Sequence, residues 1–105
     1  MRVIDFIVTG QKIECDPRCD FTGIVSGSAG YLFARFRFSA DWNGCKRVAV
    51  FTSWGKDYPT PIINSMCEIP AEALVGNAVE VAVVGQRDKY RITTNTTAFA
   101  QKTGR

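Results

Sequence analysis

The residues from Tyr31 to Phe38 alternate in character, and this alternation constrains the fold more than any other feature of the sequence. Apolar residues occupy the even positions, which are Leu32, Ala34, Phe36 and Phe38. Two aromatic rings and two guanidinium groups occupy the odd positions, which are Tyr31, Phe33, Arg35 and Arg37. Because successive side chains of a β-strand point to opposite faces, the segment is predicted to be a strand with one face buried in a core.

The rest of the chain consists of short apolar segments separated by turn residues. The segments predicted to be extended are 2–14, 45–53, 62–69, 78–85 and 89–100. Residues 54–61 contain two prolines and a glycine, so no long regular element is expected there. Pro70 suits the first position of a helix and Gly76 suits its end, which predicts one short helical turn near Pro70 to Leu74.

These features predict an all-β fold, an antiparallel β-sandwich (Ig-like) of about seven short strands, with a small barrel as the competing architecture. A length of 105 residues suffices for a single domain, 1–105. Apolar residues make up 46% of the chain and charged residues 22%, which is typical of a soluble globular protein rather than a disordered one.

Trp42 lies in a polar dip between two predicted strands. Its neighbours Asp41, Asn43 and Gly44 favour a turn, so the indole is predicted to seal the end of the core rather than to line an open ligand cleft. Burial of an indole stabilises a fold by about 2 to 3 kcal/mol from its area alone. The residues expected to build the core and its corners are Phe36, Phe38, Trp42, Phe51, Pro70 and Val81.

The sequence offers little for catalysis, metal binding or membrane insertion. It contains no histidine, and Cys15 and Cys19 form a single close pair while Cys45 and Cys67 are isolated, whereas structural zinc sites use two closely spaced pairs. No pair of carboxylates stands in a setting that would separate their pKa values. The apolar segments are too short to span a bilayer, and no export signal is visible. We therefore expect no enzyme, no cofactor or metal, no membrane partner, and free thiols.

Six residues are candidates for binding a partner. They are Tyr31, Phe33, Arg35 and Arg37 on the alternating strand, and Trp54 and Tyr58 in the proline-containing segment. Aromatic rings beside guanidinium groups are enriched at protein interfaces, and they would also suit single-stranded nucleic acid, with bases stacked on the rings. If a second layer covers the strand face, its rings are instead part of the core. The proline-containing segment either presents its rings, to a protein or a sugar, or folds back over the sandwich edge.

The succession of these elements resembles a family of small β-sandwich modules in virion structural proteins of tailed bacteriophages. The shared pattern has an aromatic strand, a Ser-x-x-Trp corner, a strand ending in Val-Phe, a Cys-x-Ile-Pro element, a Val-rich strand ending in Gly, and an Arg-x-Thr-Thr stretch. The matching positions are Phe36, Phe38, Ser39, Trp42, Val50, Phe51, Cys67, Ile69, Pro70, Leu74, Val81, Gly85, Arg91, Thr93 and Thr94. The resemblance covers roughly Leu32 to Asn95 and includes no catalytic signature.

The resemblance implies a non-enzymatic virion protein, serving as a capsid decoration, a neck or tail adaptor, or a baseplate component. Its partners would be other virion proteins, and it would be a homo-oligomer or present in many copies in a symmetric particle assembled in the host cytoplasm. Because the chain ends at Arg105, soon after the resembling segment, we expect a free-standing piece rather than the anchor of a fibre. A mild net charge of +3 also permits the alternative, a small nucleic-acid-binding β domain that uses the aromatic and arginine strand face.

Overall fold

The computed structural model describes residues 1–104, and within them the chain forms nine strands and two 3-10 turns. The strands are β1 (Arg2–Thr9), β2 (Lys12–Cys15), β3 (Leu32–Phe38), β4 (Lys46–Ser53), β5 (Lys56–Pro61), β6 (Met66–Glu68), β7 (Ala78–Arg87), β8 (Tyr90–Thr93) and β9 (Thr97–Ala100). The 3-10 turns are Ala40–Trp42 and Ala71–Ala73. Two sheets pack face to face, which confirms the predicted all-β sandwich and its helical turn after Pro70.

The first sheet has the strand order β2-β1-β3-β6 and contains one parallel pair. β1 and β3 run in the same direction, with Arg2 opposite Leu32 and Val8 opposite Phe38, while β2 and β6 pair antiparallel at the two edges. A parallel pair requires a long crossover between its strands, and residues 16–31 provide it. The sandwich is therefore antiparallel as predicted except at its first sheet's centre.

The second sheet has the order β5-β4-β7-β8, and β9 also pairs with β7. β8 and β9 lie along different halves of β7, so the segment predicted as one strand over 89–100 is two strands. The segment 2–14 is likewise split, because Gly10 with a φ of +56° turns the chain between β1 and β2. No helix in the described part of the chain is long and apolar enough to cross a membrane.

Residues 56–61 form the regular strand β5, which corrects the expectation that this segment lacks a long regular element. β5 is an edge strand that pairs with β4 alone, with Pro59 opposite Val50 and Pro61 opposite Val48. Proline is tolerated at a sheet edge because its missing N–H deprives no second neighbour of a hydrogen bond. The two prolines are therefore compatible with a strand at the edge of the sheet, although they would not be compatible with a central strand.

Trp42 closes the corner between β3 and β4, where its side chain is fully buried. The indole Nε1 donates a hydrogen bond of 2.9 Å to the carbonyl oxygen of Gly10, and the ring packs on Phe38 with 5.2 Å between ring centroids. The indole is part of the core, as predicted, and no open cleft surrounds it. Of the other expected structural residues, Phe36, Phe51 and Val81 are buried, and Phe38 and Pro70 are half-buried at the margin.

Gly85 on β7 forms the surface on which this corner packs, because the indole of Trp42 lies directly against its backbone. A Cβ atom at Gly85 would lie 2.7 Å from the Cε3 and Cζ3 atoms of Trp42, well inside van der Waals contact. The buried ring cannot swing outward to give room. The close approach of ring and backbone therefore requires glycine at this position in the strand.

We predict that Gly85→Ala lowers the free energy of unfolding by about 2 kcal/mol, because the added methyl group overpacks a ring that cannot move. Elsewhere in a strand the same change is expected to be neutral or stabilising, since it restricts the unfolded chain. Urea unfolding of the single variants and of the Trp42→Phe/Gly85→Ala double variant measures the coupling between the two positions. A penalty that is just as large in the Trp42→Phe background would contradict the proposed contact.

Candidate functional site

The outer face of the first sheet carries three of the predicted contact residues. Phe33, Arg35 and Arg37 project from β3 away from the core, and Tyr31 precedes the strand with 50% of its surface exposed. The second sheet packs against the opposite face, so the alternative in which a second layer buries these rings is wrong. Phe33 is half-buried among its neighbours on the sheet, whereas both arginines are exposed.

Charges of both signs balance each other on this outer face. The guanidinium of Arg35 donates two hydrogen bonds to the carboxylate of Asp5 on the adjacent strand β1, and this ion pair raises the pKa of Arg35. Glu68 lies beside β3 on β6, and Glu14 lies in the row of Arg37 on β2. A nucleic-acid platform needs a continuous cationic track for phosphates, and three carboxylates interrupt any such track here.

An open cavity of about 580 Å³ lies between β3 and the turn that follows β2. In its wall, the nearly buried Asp16 accepts a hydrogen bond of 2.9 Å from the backbone N–H of Arg18 and one of 3.1 Å from its guanidinium. These hydrogen bonds from Arg18 hold the pKa of Asp16 below its ordinary value. The pKa of Asp16 is thus kept away from the neutral range that suits a general acid or base.

The four cysteines are free thiols, and residues 1–104 contain no group of three or more His, Cys, Asp or Glu side chains that could hold a metal ion. Burial raises the pKa of the Cys67 thiol to about 12, and burial is also the largest cause that raises the pKa of Cys15. The thiolate is the form that attacks electrophiles and binds metals, so a raised pKa disfavours both roles. Cys67 lies on β6 opposite Ala34 of β3 and is a core residue.

We predict that iodoacetamide at pH 8 alkylates Cys67 only after unfolding. With a pKa of about 12, the folded protein carries a thiolate at this position in about one molecule in ten thousand, whereas an unfolded thiol has an ordinary pKa. Peptide mapping by mass spectrometry, with and without urea, measures the two rates, and the half-buried Cys45 serves as the internal comparison. Equal labelling rates in the two conditions would show that Cys67 is accessible in the folded state.

One end of the sandwich collects exposed apolar side chains from separate parts of the chain. We name it the apolar end, and its members are Met1, Val25, Tyr31, Trp54 and Val75. Among the described residues, the exposed large apolar side chains outside it are Ile63 and Tyr90. Sequence reasoning identified Tyr31 and Trp54 but missed the other three, because they stand in loops or at the terminus, where no periodicity marks them.

Hydrogen bonds between loops hold the apolar end together. The hydroxyl of Ser53 and the amide Nε2 of Gln101 both donate to the carbonyl oxygen of Val75 at 2.9 Å. Ser26 donates its backbone N–H to the carbonyl oxygen of Lys102, and Arg2 donates its own to that of Tyr31. These hydrogen bonds join the β4–β5 hairpin to the end of β9, and the starts of β1 and β3 line a cavity of about 240 Å³ together with Val25 and Leu74.

Trp54 is the most exposed residue of the apolar end, at 81% of its surface, and its backbone is strained. It has a φ of +52° and is followed by Gly55 with a φ of +75°, which together form the two-residue loop between β4 and β5. Such loops favour Asn-Gly because both central residues must adopt the left-handed region. The indole leans on Gly76, where an added methyl group would collide with it. The turn itself does not require a tryptophan at position 54.

Tyr58 does not share the exposed surface of Trp54. It lies opposite Phe51 in the β4–β5 register, on the inner side of the sheet, and packs partly buried against the core. The prediction that Trp54 and Tyr58 form one exposed aromatic group is therefore wrong. Alternation along β5 turns Tyr58 inward, whereas Trp54 stands at the hairpin tip.

No protein-family model matches this chain, and no curated protein sequence is significantly similar to it.

We predict that Trp54→Asn raises the free energy of unfolding by about 0.5 to 1 kcal/mol, because asparagine adopts a positive φ with less strain than tryptophan. Trp54→Val is the matched control, since a β-branched residue is disfavoured at a positive φ and should lower the free energy of unfolding. Thermal and urea unfolding of both variants measure the difference. If asparagine destabilises the fold as much as valine does, the exposed indole is needed for stability after all.

Proposed function

We propose that this chain is a non-enzymatic assembly module of a tailed-bacteriophage virion that binds other virion proteins through its apolar end. The observation that carries the proposal is Trp54, which is exposed at a hairpin tip in a backbone conformation that disfavours it. Strain of this kind is kept where a function requires the residue, and tryptophan is among the commonest anchors in protein interfaces.

A protein partner suits the chemistry of the surface better than a nucleic acid does. Val25, Tyr31 and Val75 are exposed at the same apolar end as the indole, and such apolar area matches the centre of a protein interface. The strand face considered for nucleic acid instead pairs Arg35 with Asp5 and carries further carboxylates beside it.

The positions that resemble the phage modules support the virion setting because they include contacts that determine the corner of this fold. Trp42 and Gly85 touch each other, and Phe38 packs on the same indole. A shared pattern at these positions indicates a shared arrangement of the sheets, with outer surfaces left to differ between modules. In a symmetric particle many copies act together, so one modest contact per copy is sufficient for stable attachment.

Mass spectrometry of density-purified particles from the source culture tests the virion setting. We expect peptides of this chain at a fixed stoichiometry to the main structural proteins, in a number of copies that fits a symmetric site on the head, neck or tail. The chain's absence from purified particles, when it is present in the infected cells, would overturn the proposal.

A second experiment tests the role of the apolar end. Trp54→Asn should reduce incorporation into particles at least tenfold while the protein remains as stable as the native chain or more so, because the anchor is lost and the turn is relieved. Ile63→Asn is the matched control, since Ile63 is 68% exposed but lies outside the apolar end. Incorporation that is equally reduced by both changes, or by neither, would contradict a specific contact through Trp54.

A further inference from the structure

The outer face of the second sheet is apolar at its centre. The residues that point outward there are small, and they form two neighbouring rows across the sheet: Pro61, Val48, Val84 and Thr93 in one row, and Pro59, Val50 and Ala82 in the next. Val48, Val50, Ala82 and Val84 are half-buried although they face away from the core. Short side chains of this kind allow a second sheet to approach to about 10 Å, the usual spacing of packed sheets.

Charges of opposite sign border this apolar centre at its two ends. Beyond the first row stand Lys46 and Arg91, on either side of Gln86. Beyond the second row stand Asp57 and Glu80, on either side of Thr52. The face is therefore cationic at one end of the strands and anionic at the other.

We propose that two copies of this chain pack against each other through this outer face, about a two-fold axis that lies in the interface perpendicular to the strands. Such an axis reverses the strand direction, so it places Lys46 of one copy over Thr52 of the other, between Asp57 and Glu80. By symmetry the same contacts form twice. An axis parallel to the strands would instead place the cationic end of one copy over the cationic end of the other, so the charge pattern selects one arrangement.

The cationic end also has the shape to receive the anionic end of a second copy. An open cavity of about 760 Å³ lies there, and its lining includes Val48 and Val84, the three cations Lys46, Arg87 and Arg91, and one carboxylate, Asp88. A carboxylate from the second copy would enter this depression between two cations while its methylene groups contact the valines. The opposite charges fix the register of the two sheets along the strands.

Pairing of edge strands is a poorer route to a dimer in this fold. On the first sheet, β1 lies at the centre, between β2 and β3. On the second sheet, Pro59 and Pro61 remove hydrogen-bond donors from the edge strand β5. The face is thus the more suitable surface for self-association.

The size of the face predicts a weak dimer. Four rows along the strands span roughly 20 Å and four strands span roughly 20 Å across, which gives about 400 Å² for each copy. Standard interfaces bury about 800 Å² on each side, so we expect a dissociation constant of about 10 μM to 1 mM. This inference does not depend on the virion setting, since a weak dimer forms equally in a purified sample.

Sedimentation equilibrium of the full chain from about 10 μM to about 1 mM tests the inference. The native chain should dimerise, and Lys46→Glu or Glu80→Lys alone should weaken the dimer about tenfold or more, because each change creates two repulsive contacts by symmetry. The Lys46→Glu/Glu80→Lys double variant should regain the native dissociation constant within about threefold, because the attractive pairs are restored with the signs exchanged. A mixture of the two single variants should form a heterodimer for the same reason.

Glu68→Lys and Lys12→Glu are the matched controls, because they reverse single exposed charges on the first sheet and should leave the dimer unchanged. Thermal unfolding of every variant confirms that it is folded.

A native chain that stays monomeric throughout the concentration range overturns the inference. A double variant that dimerises more weakly than both single variants also overturns it. Binding of inorganic phosphate that depends on Lys46 in a monomeric chain would also overturn it, since the cationic end would then be an anion site. If the chain is monomeric in solution but is found in particles, the dimer is refuted and the proposed function stands. If the chain dimerises in solution but is absent from particles, the proposed function is refuted and the dimer stands.

Discussion

The contact of the Trp42 indole with Gly85 is the constraint on which the rest of the structure depends. The ring comes from the corner between the sheets, its N–H is bound by Gly10 in the first sheet, and its benzene ring lies on the central strand of the second. One side chain thereby fixes the separation and the relative position of both sheets at this end. Since the ring fills the corner, the inner faces are committed to packing, and only outer surfaces remain for binding.

Those outer surfaces have different physical characters. The first sheet carries paired opposite charges, with Arg35 held by Asp5, and this suits solvent exposure better than tight binding. The apolar end offers an exposed indole on a strained turn, which suits an anchor into a partner's pocket. The second sheet is apolar at its centre and oppositely charged at its ends, which suits a copy of itself. The proposed contacts therefore use two surfaces of one small sandwich, its apolar end and the outer face of its second sheet.

Residue patterns predicted those parts of the fold that depend on neighbouring residues in the sequence. Alternation identified β3 and its buried face, and the turn residues around Trp42 predicted a buried corner. The direction of β3 relative to β1 was not predictable, because alternation within a strand carries no information about its neighbour. The strand β5 was missed for a related reason, since Pro59 and Pro61 are excluded from central strands but not from an edge, and the sequence does not show which strands lie at edges.

The contact surfaces were less predictable than the fold, because they combine residues that are distant in the chain. The apolar end joins Val25, Tyr31, Trp54 and Val75 through hydrogen bonds between loops, and none of these loops has a periodic pattern. Tyr58 was wrongly predicted to be exposed, because its neighbouring prolines are typical of a surface loop. Its position opposite Phe51 follows from the strand register, which only the tertiary structure provides.

The central position of β1 in its sheet affects how this chain can fold during synthesis. β1 leaves the ribosome first, but its parallel neighbour β3 follows only after the crossover of residues 16–31, and β6 later still. Until then the nascent chain has no more than the β1–β2 hairpin, which is marginal by itself in water. The first sheet therefore cannot be completed before β6 has been synthesised, and folding of this domain is expected to be comparatively slow because its central strand pair is distant in the chain.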